Sequence, residues 1–139
     1  IDEFLASLSV YQWRQDVHLL GYVSDHELSW LYKNCLVNLY PSFYEGFGLP
    51  ILEGLSFGAP TITSNSSSLP EVIGEAGFQL SPFDYLSWAN SMRFLVSDLN
   101  ANLHYSKLAI KRSYDFSWAL SCSKLAAIYQ GVIDPASTS

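Results

Sequence analysis

Apolar and β-branched residues gather in four short runs, Val17 to Leu20, Leu36 to Tyr40, Pro60 to Thr63 and Gly77 to Leu80. Each is bounded by Gly, Pro, Ser or Asn, the pattern of buried parallel strands. Helix signals lie between them. Ser24-Asp25-His26-Glu27 reads as a capping box, followed by Leu28, Leu31 and Tyr32 at helical spacing. Pro50 suits the first turn of a helix that carries Ile51, Leu52 and Leu55 and ends near Gly58. Ser68-Leu69-Pro70-Glu71 predicts a second capping box, opening a short turn that Gly74 stops. From Ser81-Pro82 onward the periodicity is helical only. It predicts one helix with Leu86, Trp88, Met92 and Leu95, a second over about Leu99 to Tyr114 and a third over about Ser117 to Val132. The run from Ile1 to Val10, with Trp13, reads as a helix ahead of the first strand.

Strand and helix in alternation predict an α/β fold: a Rossmann-like parallel sheet of about four strands with flanking helices and right-handed crossovers. Residues 1–132 form the expected domain, and 133–139 a polar tail. In such sheets ligands sit outside the carboxyl ends of the strands, here Gly21 to Ser24, Pro41 to Gly48, Ser64 to Leu69 and Ser81 onward.

Composition narrows the function. The chain has 139 residues, 15% of them aromatic and only 14% charged, which excludes a disordered segment. Seven basic against thirteen acidic residues give a net charge of −6, against a general nucleic-acid binder. No apolar run reaches the length of a transmembrane helix, and Ile1-Asp2-Glu3-Phe4 lacks the basic start of a signal peptide. Two cysteines, Cys35 and Cys122, make no disulfide framework and read as inert packing residues in a reduced setting. The cytoplasm is the expected location, with the cytoplasmic face of a membrane the alternative for a longer enzyme. Without an initial Met the chain is expected to be a fragment or processed product.

The chemistry-bearing stretch is Pro41-Ser42-Phe43-Tyr44-Glu45-Gly46-Phe47-Gly48-Leu49-Pro50-Ile51-Leu52-Glu53, between a predicted strand and a predicted helix. Gly46 and Gly48 let backbone approach a ligand without a Cβ in the way. Amides at the helix start favour anions or sugar hydroxyls. Glu45 in the loop and Glu53 about one turn into the helix can face one cleft and accept from hydroxyl groups. Such a cleft suits a polyhydroxylated, phosphorylated ligand such as a nucleotide sugar. The plainer reading is that acidic residues there only complement the helix dipole, and the Gly-x-Gly lacks the third glycine of the dinucleotide fingerprint.

The segment Pro41 to Glu53, with Gly58 and Pro60, resembles the signature of the retaining family 4 (group 1) glycosyltransferases, which pairs two glutamates separated by seven residues. Val17-His18-Leu19-Leu20-Gly21-Tyr22-Val23-Ser24-Asp25 is similar to the block upstream of that signature. Ser68-Leu69-Pro70-Glu71-Val72-Ile73-Gly74 is similar to the block downstream, and Phe116-Ser117-Trp118 to a common ending. The resemblance implies part of the C-terminal, donor-binding domain of a GT-B enzyme. By that resemblance Glu53 holds the ribose hydroxyls of the nucleotide, and Glu45, the catalytic candidate, lies beside the donor sugar and the reacting region. Backbone amides of Gly46, Phe47, Gly48 and Leu49 bind sugar hydroxyls and the diphosphate. Val23 and its neighbours meet the base, and Ser67, Ser68 and Leu69 cradle phosphate.

The resemblance implies no metal, and His18, His26 and His104 are scattered. The family clamps the diphosphate with an Arg and a Lys from a segment ahead of the Val17 block. Arg14, Lys33, Arg93, Lys107, Lys111, Arg112 and Lys124 match neither. The isolated chain is therefore expected to be inactive, with a separate N-terminal acceptor domain as its partner and an unpaired sheet edge open to association. The alternative is a non-catalytic nucleotide-sugar-binding or assembly module. Tyr40, Phe43, Tyr44 and Phe47 read as wall and core aromatics, with a sugar-stacking patch as the alternative. Trp30, Trp88 and Trp118 read as packing residues of helices.

Overall fold

The computed structural model describes residues 6–8 and 10–133. Residues 6–8 are helical, and the remainder of the helix expected over Ile1 to Phe4, Leu5 and Ser9 lies outside the described residues, as does the tail from Asp134 to Ser139. Three parallel strands form the sheet: β1 (Asn38–Tyr40), β2 (Thr61–Ser64) and β3 (Gly77–Leu80). Their order is β1-β2-β3, with Leu39 opposite Ile62 and Ile62 opposite Phe78. Among the described residues after the helical 6–8, six α-helices follow: α1 (Asp25–Asn34), α2 (Leu49–Ser56), α3 (Leu69–Ile73), α4 (Tyr85–Ser97), α5 (Leu99–Ser113) and α6 (Trp118–Ile133).

The central strand explains the layering. All four residues of β2 are buried, three of them hydroxyl-bearing, and each hydroxyl has a partner. Thr61 donates to the Ala59 carbonyl at 2.9 Å, Thr63 to the Tyr40 carbonyl at 3.3 Å, and Ser64 to the Ser42 carbonyl. A buried hydroxyl without such a bond is costly, so these residues tie β2 to β1 as well as fill the core. One apolar cluster joins Ile51 and Leu55 of α2, Leu69, Val72 and Ile73 of α3, and Ala109 of α5. A second joins Ile62 to Trp88 and Leu95 of α4.

Helix starts follow the expected chemistry in part. Ser24 and Glu27 form the capping box of α1, with Ser24 N–H donating to Glu27 at 2.8 Å. The second box does not form: the Ser68 hydroxyl donates to the carbonyls of Glu45 (3.1 Å) and Phe47 (3.0 Å) instead of capping α3. Asp84, not Ser81, caps α4 by accepting from Ser87 N–H at 3.1 Å. Ser81 serves differently, its carbonyl accepting from the Trp88 indole at 2.9 Å.

The fourth expected strand is absent. Val17 to Leu20 lies outside the sheet, with Leu19 and Leu20 more than half exposed. A strand exists only against a partner that completes its backbone hydrogen bonds, and among the described residues none lies beside this run. Two packing expectations also change. Cys122 is exposed, and so are Trp30 and Trp118, whereas Cys35 is half-buried and Trp88 is in the core. Among the described residues no helix is long and apolar enough to cross a membrane.

Candidate nucleotide-sugar site

The three strand-to-helix loops, 41–48, 65–68 and 81–84, emerge from the same end of the parallel sheet, its carboxyl edge. Hydrogen bonds and ring contacts join them. The Ser67 hydroxyl accepts from Glu45 N–H at 3.2 Å and donates to the Glu45 carbonyl. The rings of Phe43 and Phe83 meet at 5.3 Å, linking the first loop to the third. The first loop is thus fixed by its neighbours and not by its own sequence alone.

Glu45 is held at both ends. The Ser67 and Ser68 hydroxyls fix its backbone. On the side chain, Oε1 accepts from the Tyr40 hydroxyl at 2.7 Å and from the Ser42 hydroxyl at 2.9 Å. Burial, first, then the bond to Glu45, the Glu45 charge and the neighbouring Tyr32 push the Tyr40 phenol up to about 12. It stays protonated, and its one proton serves Glu45.

Glu53 is exposed on the first turns of α2. Its field, after burial itself and ahead of Cys35, raises the pKa of the Tyr32 hydroxyl. Tyr32 in turn stacks on Phe57 with ring centroids 6.1 Å apart. Both tyrosines therefore stand in the electrostatic neighbourhood of the paired glutamates.

The two signature glycines differ. Gly48, at the N-cap of α2, has φ +101°, and a Cβ there would lie 2.8 Å from Leu69 Cδ2. It is needed for the left-handed backbone and for the packing of α3 against α2. Gly46 has nothing within 4 Å of the Cβ position; it faces open space, the condition for ligand approach. Phe47 and Leu49 are exposed beside it, and Phe47 meets Phe116 edge-on at 5.9 Å. Leu69 is fully buried, and its N–H donates to the Ser66 carbonyl at 3.2 Å.

Hollows flank the loop on the side of α5 and α6. One of about 310 Å³ is lined by Phe47, Ser68, Arg112 and Lys124 among others, and one of about 390 Å³ by Phe47, Leu49, Leu52, Phe116 and Trp118. Neither glutamate lines either. Val23 lines another hollow, of about 380 Å³, with Leu20, His26, Trp30 and Leu31 among others. Among the described residues no cluster of three His, Cys, Asp or Glu side chains is placed to hold a metal.

Tyr40 and Ser42 are the site residues that sequence reasoning missed. Both lie within five positions of Glu45, and the signal was available as two hydroxyls ahead of a loop carboxylate. Their aim at Oε1 depends on where β1 ends.

The parallel α/β sheet carries a Glu-bearing loop at its carboxyl edge that runs into a Gly-capped helix. Residues 5–112 match the family described as "Glycosyl transferases group 1", and the chain belongs to that family. It is 37% identical over 106 residues, 76% of its length, to the serotype-specific mannosyltransferase WbdA of Escherichia coli. It is 54% identical over 68 residues to the O-antigen chain mannosyltransferase B of the same species, and 30% identical over 121 residues to the MMP alpha-(1->4)-mannosyltransferase of Mycolicibacterium hassiacum. Sucrose-phosphate synthase from Thermosynechococcus elongatus superposes on 97% of the chain with a TM-score of 0.84 at 22% identity, so the fold matches part of a GT-B enzyme. The chain spans 13%, 18% and 29% of the three mannosyltransferases and 35% of that synthase chain, covering 49% to 84% of itself in the former matches.

Proposed function

We propose that this chain forms the donor subsite of a retaining mannosyltransferase, part of a longer enzyme whose remaining segments supply the acceptor domain and the basic clamp on the diphosphate. In this reading residues 1–132 belong to the donor domain. Glu53 accepts from the ribose hydroxyls of a nucleoside diphosphate sugar. Glu45 accepts from the sugar next to its reacting carbon. Amides of Gly46, Phe47, Gly48 and Leu49, with the Ser67 to Leu69 turn, face the sugar and the diphosphate, and Val23 meets the base. The sugar is assigned as mannose on the similarity to the three mannosyltransferases named above.

The observation that carries the reading is the fixed Glu45 at the carboxyl edge of the sheet, its carboxylate held by the hydroxyls of Tyr40 and Ser42 and its backbone by those of Ser67 and Ser68. Retaining transfer through this site means that the acceptor enters on the face from which the diphosphate leaves. Charge grows on the leaving group and on the sugar ring together. Fixed amides stabilise the first without reorganising, and a carboxylate held near the ring stabilises the second. Glu45 suits the latter task because its side chain is already ordered before any ligand arrives.

Kinetics on the longest natural enzyme containing this segment test the reading. Glu53→Ala should weaken nucleotide binding about tenfold, the worth of roughly 1.4 kcal/mol. Glu45→Ala should leave that affinity within a few-fold while lowering turnover by about 100-fold or more, as loss of a transition-state contact does. Unchanged transfer in the Glu45→Ala enzyme would overturn the assignment.

A further inference from the structure

We infer that Tyr40 and Ser42 are positioning residues: together they saturate Oε1 of Glu45 and leave Oε2 as the acceptor presented to the donor sugar. The inference rests on the reading of Glu45 as the carboxylate beside that sugar. A carboxylate oxygen accepts about two hydrogen bonds, and Oε1 has two, from Tyr40 at 2.7 Å and Ser42 at 2.9 Å. Bonds from hydroxyls to a carboxylate are short and strong relative to neutral pairs.

The origin of the two donors fixes the direction as well as the charge. Tyr40 ends β1, and its carbonyl is bonded to Thr63 of the buried central strand. The Ser42 carbonyl is bonded to Ser64 of the same strand. Tyr40 therefore stands on the sheet and Ser42, in the loop, is tied to it, so the Glu45 carboxylate is referenced to the core and not only to its own exposed loop. A free glutamate in a loop samples several rotamers; this one is restrained on Oε1 from the protein side. Oε2 is the oxygen left to face a ligand.

A bare loop staple predicts something different from a positioning pair. Loss of a staple loosens the whole loop, so donor KM and kcat both deteriorate. Loss of a positioning donor misaims one carboxylate, which affects the reacting state more than ground-state binding.

The test uses the longest natural enzyme and a nucleoside diphosphate sugar that it accepts. Tyr40→Phe and Ser42→Ala should each lower kcat about tenfold, the scale of one hydrogen bond to a charged group, with donor KM within about twofold. The double variant should fall further. In a Glu45→Gln background with measurable residual activity, Tyr40→Phe should add less than about twofold, because its effect runs through the carboxylate. Full activity in both single variants, when Glu45→Ala is inactive, overturns the inference and leaves the role of Glu45 standing. Equal losses of kcat and rises of KM, or the same Tyr40→Phe penalty with and without Glu45, overturn it in favour of a staple. Unimpaired transfer by Glu45→Ala itself removes the reading beneath it.

Discussion

Ser67 and Glu45 bond to each other twice across the gap between two loops, the Ser67 hydroxyl accepting from the Glu45 N–H and donating to the Glu45 carbonyl. Ser67 has φ +56°, a left-handed conformation that favours glycine. The strain and the bond pair occur in one residue, next to the loop that carries the signature.

Two substitutions separate these effects. Ser67→Ala keeps the left-handed cost and loses both bonds, and should destabilise the protein by about 1–2 kcal/mol. Ser67→Gly loses the same bonds but relieves a left-handed cost of roughly 1–2 kcal/mol, so its melting temperature should lie closer to wild type. Both should lower turnover of the full enzyme, since Glu45 loses its backbone anchor. Thermal melts and kcat, measured side by side, check this. An alanine variant as stable and as active as wild type would mean that the bond pair does not hold the loop.

The glycines of the signature should behave oppositely. Gly48→Ala adds a methyl 2.8 Å from Leu69 Cδ2 on a backbone with φ +101°. Because Leu69 is fully buried and cannot withdraw, the expected cost is about 1–3 kcal/mol. Gly46→Ala meets nothing within 4 Å and should change stability by less than about 0.5 kcal/mol. Its effect should appear in donor affinity, where the added methyl blocks the ligand. Denaturant midpoints paired with nucleotide-sugar titrations read both.

Tyr40 gives a pH prediction. Its folded pKa, pushed up to about 12 by burial and by Glu45, exceeds the ordinary phenol value of about 10. A raised folded pKa means that its contribution is complete below about pH 10 and is lost as pH climbs toward about 12. Wild type should therefore lose stability more steeply than Tyr40→Phe across that alkaline window. Phenolate absorbance should show one fewer late-titrating tyrosine in the variant than in wild type. Parallel alkaline unfolding of the two proteins would contradict this.

Much of the architecture was legible because it is local. The apolar run Gly77 to Leu80 predicts a strand and is β3, and the capping box at Ser24 and Glu27 forms as the residue types demand. The failures are tertiary. Val17 to Leu20 has the composition of a strand, but composition cannot supply the neighbour that a strand needs. Ser68 has the right partner three residues on, yet its hydroxyl is engaged by two carbonyls of a loop more than 20 residues earlier. The same limit hid the roles of Tyr40 and Ser42. Residue type marks Tyr40 as a wall aromatic or a sugar-stacking ring, whereas the end of β1 turns its hydroxyl onto Glu45.

The assignment of the two glutamates is tested most directly by a crystal structure of the full enzyme with a nucleoside diphosphate sugar bound. The predicted result is a ribose hydroxyl at Glu53 and a sugar hydroxyl at Oε2 of Glu45, each within about 3 Å, with the backbone of Gly46 against the ligand. A nucleotide sugar seated instead between Arg112 and Lys124, with both carboxylates free of it, would contradict the account.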